Sequence, residues 1–151
     1  MKAVVQRVTE ARVEVDGEVV GEVERGMFVL LGVLKGDTGA QARKLAEKIA
    51  RFRFFPDEQG RMNRSALDAG VGALVVSQFT LAADGRKGLR PSFDQAEDPV
   101  LAEPLYEGFV AQLRAQGLAV ATGRFGAEMR IPLVGDGPVT FVLEERPPSA
   151  P

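Results

Sequence analysis

The chain contains no histidine and no cysteine among its 151 residues. A Ser-His-Asp triad, a Cys-His nucleophile and the common zinc sites are therefore excluded before any site is considered. No disulfide can form, which is compatible with a reducing compartment. Any chemistry must use hydroxyls, amides, carboxylates, amines or the backbone.

Long apolar runs and a strong excess of either charge are also missing. The longest apolar stretch, residues 27–34, is far shorter than the roughly 18 residues that would cross a bilayer, and residues 1–8 alternate polar and apolar side chains unlike a signal peptide. The net charge of −2 means that nucleic acid could bind only through a local basic patch. We therefore expect a cytoplasmic protein without membrane contact.

The size and the turn signals predict the organisation of the chain. A length of 151 residues with 45% hydrophobic composition indicates one domain around one core, which we place at residues 1–145, with a flexible tail at 146–151. Asp16-Gly17 between two alternating segments predicts a hairpin. The near-continuous apolar run at 26–34 predicts a strand covered on both faces. Further strands are predicted at residues 2–8, 11–15, 18–23, 73–76, 118–122, 129–134 and 139–144.

Two helices are predicted from their caps. Thr38 and Gln41 have capping-box spacing before an amphipathic segment that ends ahead of Pro56. Asp98 and Pro99 suit the first positions of a second helix, in which Pro104 leaves open whether the regular helix starts a turn later. Its apolar stripe is predicted to be Leu101, Leu105, Phe109 and Leu113. Together these elements predict an α/β domain of mixed, largely antiparallel β-sheets with two main amphipathic helices packed on one side.

A first polar island, residues 77–81, follows an apolar strand. If the strand continues, Gln78 and Thr80 project from one face and place an amide beside a hydroxyl, while Ser77 and Phe79 project from the other. The alternative is a strand that simply leaves the core. Pattern alone does not decide between them.

A second island contains Gly137-Pro138. Proline cannot donate to a sheet and glycine weakens a strand, so the pair predicts a strand start or a turn. In the alternative reading, Gly137 lets a backbone carbonyl approach a ligand and Pro138 aims it, through either a cis or a trans bond. Both readings remain open at this point.

Five motifs in order give the chain a resemblance to a known family. It resembles the bacterial D-aminoacyl-tRNA deacylases, historically called D-tyrosyl-tRNA deacylases, from Met1 to about Glu145. The motifs are Val5-Gln6-Arg7-Val8, Ser77-Gln78-Phe79-Thr80-Leu81, Arg90-Pro91-Ser92-Phe93, Phe125-Gly126-Ala127-Glu128-Met129 and Gly137-Pro138-Val139-Thr140.

The resemblance implies an enzyme that hydrolyses the ester of D-aminoacyl-tRNA, and of glycine wrongly attached to alanine tRNA, as a homodimer without metal or cofactor. It implies that residues 77–80 line the aminoacyl pocket. It also implies that the Gly137-Pro138 peptide is cis and enters the partner's active site, where it excludes L side chains. One departure is Gly135, where the family usually has asparagine.

The absence of histidine shapes the expected chemistry. Thr80 could act as a nucleophile only with an activating base, and no histidine is available. We therefore expect the tRNA 2′-OH to assist water, with backbone N–H groups near Phe79 and Thr80 stabilising the oxyanion.

Other candidates have two readings each. The loop residues Arg86, Lys87 and Arg90 suit tRNA phosphates or form an ordinary solvated loop. Arg7 serves the terminal nucleotide or a strand-edge ion pair, and Phe125 and Met129 line an adenosine pocket or pack in the core. The competing functions are a non-catalytic tRNA-binding module and a hydrolase of small D-amino-acid esters.

Overall fold

The first three strands form an antiparallel unit whose hairpin follows from two adjacent turn residues. The computed structural model describes residues 1–149 and begins with β1 (Lys2–Val15), β2 (Glu18–Val23) and β3 (Gly26–Gly32). Asp16 and Gly17 have φ angles of 50° and 80°. Two positive φ angles produce the tight turn whose twist matches that of the strands, so the predicted hairpin is confirmed.

The remaining elements complete a six-stranded mixed sheet, add the separate two-stranded sheet β4–β5 and form the helical layer. The chain continues through α1 (Gly39–Arg51), β4 (Phe55–Pro56), β5 (Met62–Arg64), α2 (Ala66–Ala69), β6 (Gly72–Ser77), a 3₁₀ helix (Phe79–Ala82), α3 (Pro99–Ala115), β7 (Val120–Thr122) and β8 (Leu133–Glu144). The strand order is β2-β1-β3-β6-β7, and β8 pairs with β1. β3, β6 and β7 are mutually parallel, whereas β1 is antiparallel to its three neighbours.

The main core lies between one face of this sheet and the two long helices. Alternate residues of β3 divide between the faces: Met27 and Val29 pack in the cluster that contains the buried side chains of α1 and α3, and Phe28 packs in a smaller cluster on the opposite face. This confirms both the α/β class with helices on one side and the prediction that β3 is covered on both faces.

The helix caps form as their spacing predicts. The Thr38 side chain and Gln41 make both bonds of a capping box at the start of α1. Asp98 accepts a hydrogen bond from the Val100 N–H, and Pro99 is the first residue of α3. The helix runs without interruption through Pro104, so this proline does not delay it.

The predicted stripe of α3 is partly wrong. Leu101 is 58% exposed, whereas the buried side chains of the helix are Ala102, Tyr106, Phe109, Val110 and Leu113. A series taken strictly at i+4 rotates by about 40° per step around a helix of 3.6 residues per turn. Over three steps, Leu101 therefore leaves the face that Leu113 buries.

Two other parts of the chain differ from the sequence prediction. The short hairpin β4–β5 and the one-turn helix α2 lie in the segment that pattern alone left without structure. The sequence predicts two closing strands, at 129–134 and 139–144, with a turn between them. The structure instead has the single strand β8, Leu133–Glu144, which leaves residues 129–132 outside any strand. Its pairing with β1 places Gln6 opposite Thr140 and Val8 opposite Gly135. A multi-residue bulge at 136–139 thus replaces the predicted turn.

The C-terminal tail is only partly described. Residues 145–149 have no regular secondary structure, and Arg146 forms an ion pair with Glu144 at 3.0 Å. The rest of the predicted tail, residues 150 and 151, lies outside the described residues. Within residues 1–149, no helix has the length and apolar character needed to span a bilayer.

Candidate active site

A cleft of about 630 Å³ lies where β6 ends. Its walls come from the start of α3 and from the segment between β7 and β8, and its apolar lining includes Val76 and Ile131. The structure brings five predicted site residues together in this cleft: Ser77, Gln78, Phe79, Phe125 and Met129. It is the mixed apolar and polar type of concavity that binds small ligands or cofactors.

The chain turns sharply after Ser77 instead of continuing as a strand. The Gln78 N–H donates to the Leu31 carbonyl at 2.8 Å, and the 3₁₀ helix begins at the next residue. Strand alternation is therefore the wrong basis for placing Gln78 and Thr80 on one face. Thr80 is exposed and follows directly on Phe79, which lines the cleft and is itself 57% exposed.

The turn leaves two backbone donors free beside the cleft. Neither the Phe79 N–H nor the Thr80 N–H donates to any acceptor within residues 1–149, because both precede the first internal bond of the 3₁₀ helix. Adjacent free amides of this kind can bind a developing negative charge on a carbonyl oxygen. The arrangement is compatible with an oxyanion-binding role for these two amides.

The back wall of the cleft is tied to β6 through one carbonyl. The buried Tyr106 hydroxyl donates to the Val75 carbonyl at 2.9 Å, and the Gly123 N–H donates to the same oxygen at 3.2 Å. Burial raises the pKa of Tyr106 to about 12, so the hydroxyl remains a donor at neutral pH. The Tyr106 ring contacts Phe125, with 5.8 Å between centroids.

Met129 packs directly over Gly123. A Cβ atom added to Gly123 would lie 2.8 Å from the Met129 Sδ and 3.3 Å from Val76 Cγ2. Neither Gly123 nor Tyr106 is predicted from the sequence, since neither is a reactive group in a motif. The only available signal was that Tyr106 is the single tyrosine of the chain and falls on the inner face of α3.

The two carboxylates at the cleft serve the helix that begins there. Asp98 caps α3, and the Glu97 side chain accepts a hydrogen bond from the Asp98 N–H at 2.9 Å. Within residues 1–149, no group of three or more acidic side chains is placed to hold a metal ion.

Gly137 and Pro138 lie on the β8 bulge and are not among the residues that line the cleft of their own chain. The peptide bond between them is cis, and both residues are exposed. Gly137 has a φ of +126°, and a Cβ there would lie 2.8 Å from Val139 Cγ2. No atom lies within 4 Å of a Cβ at Gly135, so the space that an asparagine would occupy is open.

Arg7 supports the bulge instead of lining the cleft. Its Nε lies 3.2 Å from both the carbonyl oxygen and the carboxylate of Asp136, and its Nη1 donates to the Phe54 carbonyl at 3.0 Å. The side chain is only 12% exposed. Of the two readings, the ion pair is the contact that Arg7 makes in this chain.

The basic loop projects into solvent. Two backbone hydrogen bonds between Asp84 and Ser92 close its base, and Arg86 pairs with Asp84 at 2.7 Å. The hydrogen-bonded guanidinium lowers the pKa of Asp84 to about 2, so Asp84 offsets the Arg86 charge at neutral pH. Lys87 and Arg90 are exposed and have no ion-pair partner within residues 1–149.

Residues 4–144 match the family model described as D-Tyr-tRNA(Tyr) deacylase. The chain belongs to this family. Among its relatives, a D-aminoacyl-tRNA deacylase of Roseiflexus sp. (strain RS-1) is 58% identical over 95% of this chain and 93% of its own length. Another of the same name from Stutzerimonas stutzeri is 57% identical over 95% of this chain and 99% of its length. Membership confirms the family resemblance and the expectation of an enzyme, a hydrolase of the deacylase type.

Solved structures extend the likeness to the fold. One described as c-Myc DNA Unwinding Element Binding Protein superposes with a TM-score of 0.91 at 42% identity, over 97% of this chain and all of that one. A second, described as a probable eukaryotic D-amino acid tRNA deacylase, gives a TM-score of 0.81 over 94% of this chain and 97% of that one. At 16% identity, this second match shows the shared deacylase-family fold alone.

Proposed function

We propose that this chain hydrolyses the ester between a D-amino acid and the 3′-terminal ribose of tRNA. Family membership supports the reaction class. The observation that carries the proposal is the pair of free amides at Phe79 and Thr80 beside a cleft large enough for a nucleoside. The ester carbonyl binds at these amides, while the terminal adenosine packs against Phe125 and Met129 and the polar side chains of Ser77 and Gln78 contact the substrate.

The reaction then needs no protein nucleophile. A water molecule, activated or positioned by the ribose 2′-OH, adds to the ester carbonyl carbon, and the two amides stabilise the negative charge that forms on its oxygen. Collapse of this intermediate breaks the bond to the 3′ oxygen, which takes a proton as the amino acid leaves. Thr80 orients the substrate, and neither a metal ion nor a cofactor takes part.

Chiral selection comes from a second copy of the chain in a homodimer. The exposed Gly137-Pro138 segment of one protomer enters the partner's cleft, where its carbonyls bind the α-amino group and leave no room for an L side chain. Arg7 holds the bulge that presents this segment. Glycine has no side chain to exclude, so glycyl-tRNA(Ala) is also hydrolysed.

The basic loop contacts the tRNA outside the cleft. Lys87 and Arg90 supply most of the available positive charge, since Arg86 is already paired with Asp84. We expect the protein to act in the cytoplasm, where its proposed aminoacyl-tRNA substrate is present.

Matched substrates test the proposed reaction. We expect D-tyrosyl-tRNA to be hydrolysed and L-tyrosyl-tRNA to be left intact in a timed deacylation assay with purified protein, with the ethyl ester of D-tyrosine as control. Equal cleavage of both tRNAs would contradict the chiral filter. Cleavage of the small ester alone would favour a simple esterase, and binding of tRNA without hydrolysis would favour a non-catalytic module.

The assignment of the chemistry to the substrate has its own test. We expect Thr80→Ala to keep substantial activity on D-tyrosyl-tRNA, because the Thr80 backbone N–H remains. A D-tyrosyl-tRNA that ends in 2′-deoxyadenosine should be hydrolysed far more slowly by the unaltered protein. The opposite pair of results, measured as single-turnover rates, would indicate an acyl-Thr80 mechanism.

A further inference from the structure

We propose that a second concavity, beside the 3₁₀ helix, binds the phosphate backbone of the tRNA acceptor end. This inference rests on the proposed function and adds a binding surface outside the cleft. The concavity has a volume of about 570 Å³ and is called here the basic groove. Its cationic side chains are Lys2, Lys35, Arg86 and Arg146.

The charge of the basic groove has the sign opposite to that of the whole chain. Asp37, one of its three carboxylates, is neutralised by the Met1 amine at 2.7 Å. The four cationic side chains then face only two carboxylates, Asp84 and Glu144, in a chain whose net charge is −2. Such a local reversal concentrates a polyanion at one surface.

Two of the four cations are available to a ligand. Arg86 and Arg146 are paired with Asp84 and Glu144, at 2.7 and 3.0 Å. Lys2 and Lys35 have no ion-pair partner in the described part of the chain, even though Lys2 stands opposite Glu144 in the β1–β8 ladder. These two lysines are therefore the groups that a phosphate would engage first.

The position of the basic groove suits an extension of the substrate that occupies the cleft. Ser77, Gln78 and Phe79 line the cleft, whereas Leu81, Ala82 and Ala83 line the basic groove. The four residues of the 3₁₀ helix span only about 8 Å at roughly 2 Å per residue. A nucleic acid strand whose last nucleotide occupies the cleft can therefore continue into the groove.

The floor of the basic groove is rigid. The Met1 amine donates to the Asp37 carboxylate and to the Glu145 carbonyl, each at 2.7 Å, and the Leu34 N–H donates to Asp37 at 2.8 Å. The Lys35 N–H donates to the Gln95 carbonyl at 2.9 Å. The backbones at both free lysines are thus held in place, so only their side chains must be ordered when a phosphate binds.

The double variant Lys2→Ala/Lys35→Ala tests this role with two substrates of different length. We expect its KM for D-tyrosyl-tRNA to rise several-fold, and the slope of log KM against log salt concentration to fall by about two. The KM for adenosine carrying D-tyrosine on its 3′ oxygen should stay within twofold of the value for the unaltered protein, because that substrate fills the cleft and has no phosphate to reach the groove. Lys35→Glu should raise the tRNA KM more than Lys35→Ala does, because it places a negative charge in the groove.

A matched control separates the effect of the groove lysines from the effect of lowering the net charge of the protein. Lys44→Ala/Lys48→Ala removes the same charge from exposed positions on α1, outside the groove, and should leave both KM values unchanged. The proposal is overturned if the groove variant behaves like this control, or if its KM rises equally for the D-tyrosyl adenosine.

Failure of the proposed function would look different. The unaltered protein would then cleave neither substrate. In that case the groove proposal is tested by the binding of tRNA that carries no amino acid, titrated at several salt concentrations. If the slope of log Kd against log salt concentration falls by about two in Lys2→Ala/Lys35→Ala, the groove proposal is supported. An unchanged slope would overturn it.

Discussion

At the scale of single residues, Gly123 determines how close the Met129 side chain lies to the back wall of the cleft. We expect Gly123→Ala to push the Met129 sulfur into the cleft, because the new Cβ would lie 2.8 Å from it and Met129 is the flexible partner. Overpacking of this kind costs about 1–3 kcal/mol of stability. The KM for D-tyrosyl-tRNA should rise while unfolding remains cooperative.

The double variant Gly123→Ala/Met129→Ala is the control for this steric relation. Removal of the long side chain restores the space, so its KM should be no higher than that of Met129→Ala alone. If Gly123→Ala leaves KM unchanged, Met129 does not define the room available to the substrate.

Asp37 and Glu144 both belong to ion pairs. Because the two pairs differ in burial, we expect their loss to lower the free energy of unfolding by different amounts. Asp37→Asn leaves the Met1 ammonium without a charge partner where both side chains are almost completely buried, so we expect a loss of about 3–5 kcal/mol. Glu144→Gln breaks a pair in which Arg146 is 77% exposed, and it should cost about 1 kcal/mol or less. Urea unfolding of the two variants measures both values, and similar costs would contradict this reasoning.

At the scale of elements, the Tyr106 hydroxyl links α3 to β6. We expect Tyr106→Phe to lower the free energy of unfolding by about 1 kcal/mol at pH 8, because the Val75 carbonyl loses one of its two donors. The folded phenol has a pKa of about 12, above its usual value near 10. Its stabilising contribution is therefore complete below pH 10 and is lost as the pH rises through 12.

Urea unfolding at a series of alkaline pH values measures this loss. The difference in the free energy of unfolding between the unaltered protein and Tyr106→Phe should narrow between pH 10 and pH 12. A constant difference across that interval would mean that the Tyr106 phenol ionises alike in the folded and unfolded chains.

At the scale of the whole molecule, the proposed site combines the cleft of one chain with the Gly137-Pro138 segment of another. Gly137→Ala should inactivate the segment, since a Cβ at φ +126° would clash with Val139. Gly123→Ala should impair the cleft. After subunit exchange between the two variants, half of the dimers contain one intact site, so activity should rise above that of either variant alone, toward about a quarter of the original.

A mixture of two cleft variants, Gly123→Ala and Met129→Ala, provides the control. Subunit exchange in this mixture should restore no activity. If the segment acts within its own chain, the mixture of Gly137→Ala and Gly123→Ala will also recover nothing. Size-exclusion chromatography of each variant checks that the dimer itself has formed.

Features that depend on neighbours in the chain were predictable from the sequence. The hairpin at Asp16-Gly17, the capping box of Thr38 and Gln41 and the cap at Asp98 need only local spacing, and the structure contains all three. The absence of histidine and cysteine limited the possible chemistry directly. The structure also brings five of the predicted site residues together in one cleft, because their motifs end strands or line the loops between elements.

Only the tertiary structure decided the features that depend on distant residues. The path of β8 through Gly137-Pro138 follows from its pairing with β1, which joins residues more than a hundred positions apart. The Val75 carbonyl accepts hydrogen bonds from two residues distant in sequence, Tyr106 and Gly123, and the basic groove brings together Lys2 and Arg146 from opposite ends of the chain. Local patterns record which side chains a segment buries, but register and the meeting of loops are set by packing across the whole core.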